Sequence, residues 1–240
     1  MAMELPGIPM VLRLSCRCST IACFGGGRCN GWFSQLLYLH LKKRMNPVLN
    51  GLHIAVFADE GFVPDLLLTA NAALQREGAI TKVVASCRRP LDPVPGAAAP
   101  VQDVDVTTAE ADADDFDAAL VIGGEHGAEL DHAKLAAFLA NLRAADKPVG
   151  AIFKGVALCV RCGVVSGARV AAAMAEAQAV ISAGGTPIDE PVTVDGNFVT
   201  ARGAEDIDAF LVAAIEAIRL KFRSGIDGAP DLTVVGSASS

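Results

Sequence analysis

From Leu52 onward, hydrophobic and polar positions fall into short apolar runs that alternate with stretches of helical periodicity. "LHIAVFA" (52–58) is a compact apolar run bounded by charge and glycine, as a strand buried on both faces should be. "PDLLLTANAALQREG" (64–78) repeats its apolar residues at helical spacing, with Pro64 suited to a first helical turn and Gly78 to a C-cap. "AITKVVAS" (79–86) predicts the next strand. Further strands are expected at 101–107, 118–124 and 148–153, with helices at 128–147 and 155–163. The last part reads as a strand, a helix, two short strands about the Asp195-Gly196-Asn197 turn, and a long helix from about Glu205. Repeated β-α-β alternation predicts an α/β fold: a flavodoxin-like three-layer sandwich, with a mostly parallel sheet and helices on both faces.

Between these elements lie two polar stretches. "CRRPLDPVPGAAAP" (87–100) is broken by prolines and reads as an irregular excursion. "AEADADDFD" reads as a solvated turn; the spacing of an EF-hand loop is absent from it.

Composition separates the first 44 residues from the rest. They carry six Lys/Arg against one acid, Glu4, in a chain of 20 Lys/Arg, 27 Asp/Glu and net charge −7. They also hold Cys16, Cys18, Cys23 and Cys29, whose spacing differs from the paired knuckles of a zinc ribbon. A metal or redox site and a targeting peptide are alternatives for this leader. The expectation taken is that residues 1–44 are disordered or not native, that the domain covers 45–224, and that 225–240 form a flexible tail. The acidic balance argues against nucleic-acid partners, and no apolar run is long enough to suggest a membrane partner. No cofactor is implied, and a cytoplasmic location is expected.

The stretch most suggestive of chemistry is "KPVGAIFKGVALCV" (147–160): a strand, a glycine turn and a short apolar helix, the layout by which many α/β enzymes present a nucleophile. Here the tip is Phe153, followed by Lys154 and Gly155. A lysine opening a helix opposes the macrodipole and calls for a compensating acid, Glu60 or Glu125, or a bound anion. A Schiff-base or general-base lysine is a third reading. "GGEHG" supplies Gly123 and Gly124, whose backbone can approach a ligand, and then Glu125 and His126; His126 is either a ligand contact or a solvated loop residue. His126 and His132 lack the spacing of a zinc helix, and no metal site is assigned to them. Cys159 and Cys162 form a C-x-x-C late on the helix, where the dipole does not activate a thiol, and are read with Cys87 as structural thiols.

"ADEGF", "FDAALVIGG", "KPVGAIFKG" and "AGGTPIDEPVTVDGNFVTARG" together resemble the DJ-1/PfpI superfamily, related to class I glutamine amidotransferases, over residues 52–220. "IAVFADEGF" is also similar to the C-terminal domain of large-subunit catalases, which lacks the cysteine machinery. The resemblance implies a homodimer. It also implies a cysteine on the elbow followed by histidine, with a glutamate near the thiol; the matching positions are Phe153, Lys154 and Val63. The expected function is therefore a non-catalytic protein with a vestigial elbow, binding a small anionic ligand or serving assembly. The ligand residues expected are Glu60, Gly123, Gly124, Glu125, His126, Lys154 and Gly155. The alternatives are a protease-, glyoxalase- or deglycase-like hydrolase or lyase using relocated residues, and a redox or metal sensor acting through the leader cysteines.

Overall fold

The computed structural model describes residues 48–124 and 132–223. Nine strands and five α-helices are found among them: β1 (His53–Ala58), α1 (Pro64–Arg76), β2 (Ile80–Ala85), β3 (Val106–Thr107), β4 (Ala118–Gly123), α2 (His132–Ala144), β5 (Val149–Ile152), α3 (Lys154–Arg161), β6 (Arg169–Ala171), α4 (Ala177–Ser182), β7 (Thr186–Ile188), β8 (Val192–Asp195), β9 (Phe198–Ala201) and α5 (Ile207–Arg223).

Seven strands form one sheet in the order β3-β2-β1-β4-β5-β9-β8. All neighbours run parallel except β8, which pairs antiparallel with β9 through the hairpin that "DG" predicts. Chain order reverses on either side of β1, so the ends of β1 and β4 flank the switch point at which ligands of open α/β sheets bind. The central strands are apolar throughout because both sheet faces are covered. Ile54, Val56 and Ala58 point into a core shared with Leu67 and Leu74 of α1 and Phe210 and Ile218 of α5. Ala55 and Phe57 point into a second core with Leu135, Leu139 and Leu142 of α2 and Cys159 of α3. Each fully buried leucine contributes about 1.5–3 kcal/mol, so register along β1 is fixed by two cores at once.

Several boundaries differ from the sequence expectation. The strand expected at 101–107 is confined to Val106–Thr107, because Gln102 pairs instead with Leu91 of the preceding excursion. The helix expected to 147 stops at Ala144: Asp146 turns left-handed (φ 56°) and Lys147 N–H returns to the Leu142 carbonyl, a closing turn that periodicity does not reveal. Its expected start, 128–131, lies outside the described residues. β6 and β7 pair parallel as a separate two-stranded sheet, a grouping the sequence reading did not include. The last helix begins at Ile207, after a short 3-10 turn at Ala204–Asp206.

Candidate functional site

β5 ends at Ile152 and α3 begins at Lys154, leaving Phe153 alone to reverse the chain. It does so at φ 53°, ψ −115°, a region that costs a non-glycine residue about 1–3 kcal/mol. The turn is held by Phe153 N–H donating to the Ala201 carbonyl of β9 (3.1 Å) and by Val156 N–H donating to the Phe153 carbonyl (3.0 Å). This is the geometry of a nucleophile elbow. Its side chain, however, is an aromatic ring packed against the core that α1 and α5 cover, and Val63, at the N-cap of α1, packs against the same core.

Glycines allow the elbow to form. A Cβ on Gly155 would lie 1.9 Å from the Val121 carbonyl oxygen, so only glycine lets α3 settle against β4. Gly123, at φ 75°, faces the Gly155 amide, where a Cβ would stand 3.0 Å away. Gly124 abuts the end of β1: a Cβ there would meet the Glu60 carbonyl oxygen at 2.4 Å. The fold thus brings together Gly123, Gly124, Phe153, Lys154, Gly155 and the backbone of Glu60. Glu125 and His126 lie outside the described residues.

The acid partner expected for Lys154 is not Glu60. The Glu60 carboxylate pairs with Arg89, in the excursion after β2, at 3.2 Å. The Lys154 ammonium sits 5.2 Å from the centroid of the Phe153 ring and has no carboxylate within salt-bridge distance among the described residues. An aromatic face compensates part of the charge. The first N–H groups of α3 have no intrahelical acceptors, so the lysine and the helix end present positive potential together.

Sequence reasoning missed Asp59. It is 5% exposed, and one carboxylate oxygen accepts both the Ser86 hydroxyl and the Glu60 N–H at 2.9 Å. The signal was available, since an acid directly ending a fully apolar strand must find donors or pay for its burial. Cys159 lies on α3 and Cys162 caps its C-terminal end, both as free thiols away from the helix N-terminus. Burial pushes the Cys159 thiol far above its ordinary range and that of Cys162 in the same direction, so both stay protonated near neutral pH. Among the described residues no group of three or more His, Cys, Asp or Glu is arranged to hold a metal ion. Nor is any described helix long and apolar enough to cross a membrane.

A mostly parallel sheet with this strand order and a strand-elbow-helix beside its switch point defines a flavodoxin-like α/β protein of the nucleophile-elbow class. Residues 53–217 match the model of the DJ-1/PfpI family, and the chain belongs to that family. Among its relatives are a deglycase of Thermococcus kodakarensis, 31% identical over 118 residues (48% of this chain, 70% of the relative), and an uncharacterized protein of Staphylococcus epidermidis, 27% identical over 170 residues (68% and 98%). The fold is shared with a ThiJ/PfpI domain protein from Brachyspira murdochii, with TM-score 0.65, 21% identity and coverage of 71% of this chain and 98% of the other. It is shared too with DJ-1beta of Drosophila melanogaster, with TM-score 0.61, 17% identity and coverage of 73% and 98%.

Proposed function

We propose that this chain is a non-catalytic DJ-1/PfpI protein, whose elbow is kept as a packed, positively charged turn that holds a small anionic ligand. The observation that carries this reading is the paired replacement at the elbow. Phe153 and Val63 occupy the positions where the family resemblance implies a nucleophile and its acid, and both pack against one core. A benzyl ring at the elbow offers no nucleophile. The Lys154 ammonium, facing that ring with no carboxylate within salt-bridge distance among the described residues, leaves the N-terminal end of α3 suited to an anion. In this proposal the protein works as a cytoplasmic homodimer, and light scattering on the purified chain checks the dimer.

The relative named as a deglycase favours a second reading, hydrolysis or lyase chemistry through relocated residues. The pairing of Glu60 with Arg89 takes the strongest acid candidate out of that scheme. Titration with formate, followed by amide shifts, tests the preferred function. Saturable shifts at Gly124 and Gly155 that vanish in Lys154→Ala support it; absence of any shift at the elbow refutes anion binding there. Deleting residues 1–44 tests a sensor role for the leader cysteines, and no loss of metal or redox response is expected.

A further inference from the structure

We propose that an open cavity at the amino ends of β5 and β9 binds a small organic acid, its carboxylate on the Arg143 guanidinium and its apolar body along α2. The cavity has a volume of about 660 Å³, within the range of sites for small organic ligands. Ala136, Ala140 and Ala144 of α2 form one wall, Cys162, Val164 and Ser166 the other, and Asn197 closes one end. Asn197 immediately precedes β9 and its carbonyl accepts the Val149 N–H, the first of β5. Phe153 follows the last residue of β5, so the strand separates this cavity from the elbow, and the inference stands independently of the elbow's ligand.

Arg143 carries the argument. Its Nη1 donates to the Val164 carbonyl, and its guanidinium carbon lies 5.0 Å from the centroid of the Phe198 ring. Two contacts therefore fix the planar fork while leaving donors unused. Among the described residues no carboxylate lies within salt-bridge distance of it, in a chain of net charge −7. The acid nearest in sequence, Asp146, is already committed: its oxygens accept the Asn197 amide at 2.8 Å and the Lys221 ammonium at 2.6 Å.

A fixed, acid-free guanidinium matches a carboxylate through two parallel hydrogen bonds. Among the described residues no second cation lines the cavity, which suits one negative charge rather than several. The alanine methyls and Val164 suit a hydrocarbon body rather than a polyol.

Hexanoate titrated into the ¹⁵N-labelled full chain provides the test. Saturable amide shifts are expected at Ala140, Ala144, Ser166 and Asn197, with none for hexylamine and weaker binding of inorganic phosphate. Arg143→Met should weaken hexanoate by about tenfold or more, as expected for loss of a charged hydrogen-bonding partner. Since Arg143 also braces Val164 and Phe198, Ala140→Leu serves as a second variant: it fills the cavity from an exposed position while keeping the guanidinium in the chain, and should abolish the shifts. Hexanoate binding unchanged in Ala140→Leu or in folded Arg143→Met would overturn the proposal, as would shifts confined to Gly124 and Lys154, no saturation, or equal binding of hexylamine or phosphate.

Discussion

Gly155, in the first turn of α3, and Gly163, just past its end, are glycines for different reasons, and substitution separates them. At Gly155 the obstacle is the rigid carbonyl of Val121, 1.9 Å from a new Cβ, so Gly155→Ala should cost about 3 kcal/mol or more. At Gly163 nothing lies within 4 Å and only the backbone angle, φ 70°, opposes a side chain; Gly163→Ala should cost about 1–2 kcal/mol. Urea unfolding at neutral pH measures both. Lys154 tests the charge at the other end of α3. Replacing it by glutamate exchanges a charge that opposes the dipole for one that complements it, gaining about 0.3–1 kcal/mol per favourable charge, against the loss of a ring contact of about 0.5–1 kcal/mol. Lys154→Glu is therefore expected to be at least as stable as the parent at low salt, with the advantage fading as salt is added. Phe153, Lys154 and the glycines could be placed by their order in the sequence. The partner of Glu60 could not: Arg89 reaches it through tertiary folding, and no local pattern couples the end of β1 to the loop after β2.

Helix α3 shows how an element carries its surroundings. Its early residues build the elbow, while Cys159 is buried completely in the second core. Burial holds that thiol protonated far above its ordinary value of 9.0. The unfolded thiol loses its proton near that value and the folded one does not. The folded state therefore binds more protons above it, and stability falls as pH rises. Urea unfolding from pH 7 to about 10 should show this decline, and Cys159→Ala, which removes the titrating group, should flatten it. Iodoacetamide should leave Cys159 unmodified in the folded chain. The short span of β3 also belongs to this scale. "VQDVDVT" looks like one strand, but Gln102 pairs with Leu91 while Val106 pairs with Val84, so the stretch is divided between excursion and sheet. Periodicity sees the residues and not their partners.

For the whole molecule, the alternation of apolar runs and amphipathic stretches was sufficient for a doubly wound sheet, because parallel strands need crossover helices and both faces then need covering. It left open the small β6-β7 sheet, whose strands of three residues each are too short to show a period. Leu49, fully buried, donates its N–H to the Glu77 carbonyl, so the described domain is already tied down near its first residues. A chain comprising residues 45–224 should therefore unfold at the same urea midpoint as the full chain, measured by far-ultraviolet circular dichroism. The central claim concerns the elbow of this domain, a reactive geometry occupied by an unreactive side chain. Its most direct test is methylglyoxal turnover by the purified chain, assayed beside Lys154→Ala. The account predicts no turnover above the uncatalysed rate in either protein. Turnover by the parent that disappears in Lys154→Ala would contradict it.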